Sequence, residues 1–143
     1  MPKKLQLLQD QENFMCGEWY GNIEIVSTVT WDVVASLNIS SLQTILDIAK
    51  LPAPNQYAIS LANEGGLQII EIKKTSKGFE LFELKNYLKG ESVWCIHLLP
   101  KDCLLVGGFN CSDMKVLDMS SGKIVKTIPN PSKDEWYNSF QSF

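Results

Sequence analysis

The chain carries three copies of one short pattern, and this internal repeat constrains its fold more than any other feature. Each copy consists of an apolar segment, a turn, and a second segment in which apolar and polar residues alternate. The segments are Phe14–Trp19 and Ile23–Val26, Tyr57–Leu61 and Leu67–Glu71, and Leu105–Phe109 and Met114–Asp118. Successive copies lie about 45 residues apart, a period typical of architectures in which one supersecondary unit stacks on the next.

Each repeat resolves into four strands by its alternation of period two and its turn residues. The repeats cover about 4–39, 44–84 and 92–128, and residues 135–143 resemble the opening strand of an incomplete fourth repeat. A four-stranded unit at this spacing is typical of a propeller blade. The sequence therefore predicts an all-β fold: an incomplete β-propeller with about three four-stranded antiparallel blades and the first strand of a fourth, in a single partial propeller domain over residues 1–143.

One segment gives conflicting local signals. Ser40-Ser41-Leu42-Gln43 has the spacing of a helix capping box, and apolar residues follow helical periodicity from Leu42 up to Pro52. The register of the repeat instead predicts a strand over 44–50. We expect the strand, because the same Leu-Pro exit recurs at Leu51-Pro52 and Leu99-Pro100.

Composition indicates a globular protein and argues against two partner classes. The chain has 143 residues, of which 45% are hydrophobic and 20% charged, and its formal net charge is -3. Phosphate binding requires concentrated Lys and Arg, whereas the 13 basic residues here are scattered. We therefore expect no nucleic acid and no membrane among its partners.

Targeting signals and cysteines favour an intracellular location. The sequence has no apolar run of membrane-spanning length and no secretory signal. We expect the cytoplasm, with the nucleus as the alternative. In that setting Cys16, Cys95, Cys103 and Cys111 are expected to be reduced, small apolar core residues.

The third repeat carries most of a resemblance to the WD-repeat β-propellers. Gly90-Glu91 stands where that family has Gly-His, Asp113 matches the family's turn aspartate, and Leu117-Asp118 occupies the Trp-Asp position. The chain departs from the family because no Gly-His precedes any repeat and no third strand ends in Trp-Asp. The family's buried tetrad of His, Ser or Thr, Asp and Trp therefore cannot form, and Trp31-Asp32 lies after the third strand of its repeat.

The resemblance implies a rigid surface for docking proteins rather than a reaction. In this family the loops between strands two and three, and between blades, commonly bind peptides or domains. Carried onto this chain, the protein-interaction rim would contain Tyr20, Asn22, Glu64, Glu91, Asn110 and Ser112. The alternative is that these residues are ordinary solvated turns. Trp19 and Phe109 are also candidate anchors, but we expect them to pack in the core.

The residue types and their spacing give little support for a catalytic or metal site. His97 is the only histidine, and Cys95 shares its strand face, yet no third orienting group accompanies them. The spacing of the cysteines fits no zinc pattern, and no phosphate-binding glycine motif is present. We therefore predict a protein that is not an enzyme, with no catalytic residues, no metal site and no cofactors.

The expected function is a non-enzymatic protein–protein interaction scaffold, a segment of a WD-repeat-like propeller. One alternative is the wall of a propeller enzyme whose active site lies mainly in missing blades. Another is a structural subunit that adds blades to a larger assembly. Three blades are fewer than the usual four to eight, so we also expect a fragment of a longer propeller, or completion by self-association or by further blades.

Overall fold

The computed structural model describes residues 4–108 and 113–129, and this part of the chain forms three four-stranded antiparallel sheets. Sheet 1 contains β1 (Lys4–Leu7), β2 (Asn13–Gly17), β3 (Asn22–Ser27) and β4 (Val33–Asn38). Sheet 2 contains β5 (Ile45–Lys50), β6 (Gln56–Leu61), β7 (Gly66–Thr75) and β8 (Gly78–Tyr87). Sheet 3 contains β9 (Cys95–Leu99), β10 (Cys103–Gly107), β11 (Met114–Asp118) and β12 (Lys123–Ile128).

Each sheet is a simple meander in which every strand pairs with its neighbours in the sequence. Tight turns make this possible. Asn63 and Glu64 between β6 and β7, and Lys101 and Asp102 between β9 and β10, have φ values of 55° to 63°. Two successive residues with positive φ are the feature of a type I′ turn, whose twist matches that of the flanking strands.

Sheet 2 lies between the other two sheets and contributes side chains to a core on each of its faces. The core between sheets 1 and 2 includes Met15 and Ile25 on one side and Ile59 and Ile70 on the other. A second core joins sheets 2 and 3, and its members include Leu67, Ile69, Leu104 and Leu117. This explains why four of the six positions of β7 from Leu67 to Ile72 are apolar.

The sheets are arranged around a shared edge formed by their first strands. The strand β5 contacts both β1 and β9, whereas β4 and β8 meet at the outer edge. Hydrogen bonds also join the sheets: Ile45 N–H donates to Glu18 O over 3.1 Å, and Ile96 N–H donates to Asp47 Oδ2 over 2.8 Å. This is the architecture of a partial propeller, and it confirms the predicted all-β fold class. The incomplete repeat expected over 135–143 lies outside the described residues.

The segment with conflicting signals is a strand, as the register of the repeat predicted. Leu42 has a φ of 57°, which a right-handed helix does not allow. The Ser40 hydroxyl does not cap a helix, because it donates instead to Glu83 Oε1 in sheet 2 over 3.0 Å.

The expectation that Trp19 packs in the core is wrong. Strand β2 ends at Gly17, and Trp19–Gly21 form a 3-10 turn in which Tyr20 has a φ of 57°. This turn takes Trp19 off the strand and leaves its side chain 51% exposed. Phe109, for which the same role is expected, lies outside the described residues.

One face of sheet 1 is apolar and exposed. Met15 points towards sheet 2, so the residues that alternate with it point the other way. On that face Leu5 is 64% exposed and Val33 is exposed, and the ring of Trp31 lies 6.4 Å from that of Phe14. Among the described residues no sheet packs against this face. Within the same ranges, no helix has the length and apolar character needed to cross a membrane.

Candidate interaction surface

Loops from sheets 1 and 2, together with the connections between sheets, meet at one end of the molecule. Because strands alternate in direction within each meander, the β2–β3 and β6–β7 turns share this end with the β4–β5 and β8–β9 connections. We call residues 18–22, 39–43, 62–66 and 88–92 the loop rim. Its segments are bonded in succession: Ile39 N–H donates to Gly21 O over 2.9 Å, and Gln43 Nε2 donates to Asn63 O over 3.1 Å.

Tyr20 and Asn22 lie in the same turn but differ in what they offer a partner. The Asn22 side chain is already engaged, because its Nδ2 donates to Glu18 Oε2 over 3.2 Å and its Oδ1 accepts from Ser36 Oγ over 3.1 Å. Tyr20 is 69% exposed, and its ring lies edge-on to that of Trp19 at 6.3 Å. Asn22 therefore orders the turn, and the two aromatic rings form its accessible surface.

Glu64 and Glu91 are brought together by backbone hydrogen bonds between their loops. Gly90 N–H donates to Glu64 O over 2.9 Å, and Gly66 N–H donates to Glu91 O over 3.1 Å. The Glu91 carboxylate pairs with Lys115 Nζ at 2.6 Å. Glu64 is exposed and forms no ion pair among the described residues. The two acidic residues are therefore neighbours, but only Glu91 has its charge offset by a lysine.

Two clefts open on the loop rim, and Glu64 contributes to both. The first, of about 340 Å³, is also lined by Ser40, Glu83 and Lys89. The second, of about 450 Å³, is also lined by Trp94 together with Ala62, Asn63 and Ser92. Glu64 thus occupies the wall between two concave parts of the surface. Asn110 and Ser112, the remaining rim candidates, lie outside the described residues.

Sequence reasoning missed two apolar residues of this surface, Leu42 and Trp94, and expected a third, Trp19, to pack in the core. Trp19 and Leu42 are exposed on the loop rim, and Trp94 lines the larger cleft. Gly21, two residues after Trp19, lies close to the Leu42 backbone, since a Cβ there would lie 3.2 Å from the Leu42 Cα. The only sequence signal was the aromatic pair directly before this glycine, which is compatible with a tight turn as well as with a strand end.

The residues considered for catalysis share a face of sheet 3 without the properties of a nucleophile. Cys95 pairs with Gly107 and His97 with Leu105, so both side chains lie on the same side. Burial, with a smaller contribution from the charge of Asp47, raises the pKa of the Cys95 thiol to about 12. A nucleophilic cysteine instead needs a lowered pKa. Among residues 4–108 and 113–129, no three His, Cys, Asp or Glu side chains are grouped as metal ligands.

The shared edge of the three sheets holds polar groups that serve the backbone. Asp47 accepts from the Ile48 N–H over 2.9 Å through Oδ1 and from the Ile96 N–H through Oδ2. Lys4 Nζ in sheet 1 lies 3.8 Å from the same Oδ1. One carboxylate therefore links all three sheets, and its oxygens are occupied by these contacts.

No family model and no curated protein matches the chain. Among solved structures it is similar to the β-propeller domain of Cps50 (Swd1) from Myceliophteria thermophila, with a TM-score of 0.76 and 12% identity over 97% of this chain and 43% of that one. It is also similar to Kuenenia stuttgartiensis hydrazine synthase, with a TM-score of 0.72 and 14% identity over 95% of this chain and 37% of that one. The chain thus spans less than half of either relative. At these identities the likeness shows a shared propeller fold and nothing finer.

Proposed function

We propose that the chain is a non-enzymatic protein–protein interaction scaffold, a segment of a WD-repeat-like propeller that binds partner proteins through the loop rim. The observation that carries this proposal is the exposure of Trp19, Tyr20 and Leu42 on hydrogen-bonded loops beside the Glu64 clefts. Large aromatic side chains supply much of the binding energy in protein interfaces, particularly where pockets lie next to them.

The order of the loop rim supports a binding role. Binding costs free energy when flexible segments must be immobilised, so a surface ordered in advance binds more tightly. Here the four segments are bonded to one another through Gly21, Gln43 and Gly90. The aromatic residues are therefore presented at fixed positions.

A pull-down with charge and aromatic variants tests the proposal. Purified tagged protein and a Tyr20→Ala, Glu64→Lys variant are compared by quantitative mass spectrometry of proteins captured from a lysate of the source cells. We expect specific partners on the wild type that are lost from the variant. Trp31→Ala is the matched control, because Trp31 is an exposed aromatic residue on sheet 1, away from the loop rim. Equal capture by all three proteins would contradict the proposal.

Glu91 needs a separate design because of its ion pair with Lys115. Glu91→Lys alone places two ammonium groups together, which changes stability as well as the surface. The exchange Glu91→Lys with Lys115→Glu keeps the pair and moves the negative charge. Partners whose binding depends on the position of the negative charge should no longer bind the exchanged protein. Its melting temperature should stay close to that of the wild type.

The absence of catalysis is part of the proposal, and His97 provides its test. The high pKa of Cys95 argues against a Cys–His nucleophile on sheet 3. We expect His97→Ala to leave any hydrolase activity of the purified protein unchanged. Loss of turnover in a folded variant would instead favour the wall of a propeller enzyme.

A second candidate function is a structural unit that adds sheets to a larger propeller. The observation that favours it is the apolar face of sheet 1, where Leu5 and Val33 are exposed. Size-exclusion chromatography with light scattering distinguishes the two, because the structural unit requires an assembly larger than one chain. A compact monomer with a cooperative melt would rule out the structural unit and leave the interaction scaffold as the remaining candidate function.

A further inference from the structure

A groove lies between sheets 2 and 3 at the opposite end from the loop rim. We call it the lower groove. Its walls come from the β5–β6, β9–β10 and β11–β12 turns and from the side of β8, and its volume is about 370 Å³. The residues that matter here are Leu51, Ile69, Leu84, Lys85, Tyr87 and Met119. A volume of this size is within the range of ligand-binding pockets.

Several polar groups of the walls are already hydrogen-bonded, so an apolar group can enter without leaving those groups unpaired. Tyr87 Oη donates to Met119 O over 2.6 Å, and Met119 N–H donates to Asp102 O over 3.0 Å. Lys50 Nζ donates to Ala53 O over 3.0 Å at another wall. Because an unmade hydrogen bond in a buried site is costly, this arrangement favours an aliphatic guest.

The apolar surface continues along β8 beyond the groove itself. Leu84 is 47% exposed at the lip, and Phe82 is also exposed. Phe82 pairs with Glu71 of β7, and Lys85 pairs with Ile69. Glu71 and Ile69 are two residues apart and face the same side of the sheet, and Ile69 points into the core shared with sheet 3. Phe82 and Lys85 therefore lie on that same side of sheet 2. A guest therefore finds room for more than one side chain, which suits an extended peptide.

The charge at the lip selects between peptides. Lys85 Nζ lies over the Tyr87 ring at 4.9 Å, which holds the ammonium beside the groove. Lys85 forms no ion pair within the described ranges. Asp102 is exposed on the wall across from it, in the β9–β10 turn. An acidic residue next to the inserted side chain would therefore pair with Lys85 and avoid Asp102.

We propose that the lower groove binds an extended segment of a partner protein, in which a bulky aliphatic side chain enters the groove and an adjacent acidic residue pairs with Lys85. This site is separate from the loop rim, so the chain carries two binding surfaces at opposite ends of its sheets. A partner bound here leaves the loop rim accessible.

The test uses two capped tetrapeptides, Leu-Leu-Asp-Gly and Leu-Leu-Lys-Gly, titrated into the full chain and followed by NMR chemical shifts. We expect saturable binding of the acidic peptide at millimolar concentration, with about fivefold weaker binding of the lysine peptide, because an exposed ion pair has a modest effect. Lys85→Glu should reverse this preference. Absence of saturation, or a preference of the wild type for the lysine peptide, would overturn the proposal.

Two further variants locate the site. Leu84→Asp places a charge at the edge of the groove and should abolish binding. Val125→Asp is the matched control and should leave binding unchanged, because Val125 of β12 is 59% exposed and does not line the groove. Both leucine and valine are exposed, so both variants are expected to fold, which circular dichroism checks. Binding that survives Leu84→Asp would overturn the assignment to this groove. Glu64→Lys should leave peptide binding unchanged, which separates this result from the proposed role of the loop rim.

Discussion

Asp47 Oδ2 accepts a 2.8 Å hydrogen bond from the Ile96 N–H, so a side chain of sheet 2 holds the first strand of sheet 3. The same carboxylate bonds to the Ile48 N–H and lies 3.8 Å from Lys4 Nζ of sheet 1. The three sheets thus share a polar link at the edge where their first strands meet, in addition to the apolar cores between them.

Asp47→Ala should lower the free energy of unfolding by about 1–3 kcal/mol, because the partly buried Ile96 N–H loses its acceptor. Asp47→Asn keeps one acceptor oxygen and should cost less. Urea unfolding at 25 °C measures both. Asp32→Ala is the control, since Asp32 is an exposed carboxylate in the β3–β4 turn. Equal stabilities of the Asp47→Ala and Asp32→Ala proteins would refute the link.

Gly66→Ala should destabilise the protein more than Gly90→Ala, although both glycines have positive φ. A Cβ at Gly66 would lie 2.5 Å from Tyr87 O and 2.6 Å from Leu88 O, whereas at Gly90 nothing lies within 4 Å. The left-handed conformation alone costs about 1–2 kcal/mol for alanine, and the clash at Gly66 adds about 1–3 kcal/mol. Thermal melts compare the two variants, and similar melting temperatures would contradict the predicted contact.

Ser60→Ala should be neutral or stabilising. The Ser60 hydroxyl is fully buried and has no hydrogen-bond partner within the described part of the chain. Removing it eliminates an unsatisfied polar group, at a gain of up to about 1 kcal/mol. Ser121→Ala is the comparison, because the Ser121 hydroxyl donates to Asp118 Oδ2 over 2.9 Å. Denaturant unfolding measures both variants. If Ser60→Ala clearly lost stability and Ser121→Ala did not, the Ser60 hydroxyl would be hydrogen-bonded in solution.

Cys95 should resist alkylation in the folded protein. Burial raises its pKa from the ordinary value of 9.0 to about 12, so the thiol stays neutral near neutral pH, and only the thiolate reacts. Iodoacetamide labelling at about pH 8, followed by peptide mass spectrometry, should modify the part-exposed Cys103 first. Equal labelling rates of Cys95 and Cys103 in the native state would contradict the predicted protection of Cys95.

The same pKa shift gives a pH dependence of stability. The unfolded thiol ionises above 9.0, whereas the folded thiol does not do so until about 12. The contribution of this group is therefore complete below 9.0 and is lost as the pH rises towards 12. The stability difference between the wild type and Cys95→Ala should shrink over this interval in urea titrations.

Strand pairing was predictable because alternation specifies which residues face the core. Ile23 and Ile25 of β3, two residues apart, are both fully buried, as the pattern of that repeat requires. The strand at β5 also followed from the repeat, although local signals favoured a helix. Periodicity carries this information since a shift of one residue would expose a whole apolar face.

The contacts across sheets were not predictable in the same way. Trp19 stands at the end of the first segment of its repeat, but strand β2 ends at Gly17 and Trp19 enters a 3-10 turn instead. Asp47 looks like any polar residue of a strand, and only the packing of sheet 3 on sheet 2 brings the Ile96 N–H to it. The environments of Trp19 and Asp47 depend on the local turn and on how the sheets pack, and residue type alone does not specify either.

The exposed Leu5 face of sheet 1 also has a geometrical consequence. If the exposed face of sheet 1 met the outer edge of sheet 3 of a second copy, the contact would join two different surfaces and would therefore have a direction. Directional contacts generate a closed ring when the rotation returns to its starting point and an open filament when it does not. In such an assembly, Leu5 and Val33 would influence the number of copies in the particle as well as the stability of one chain.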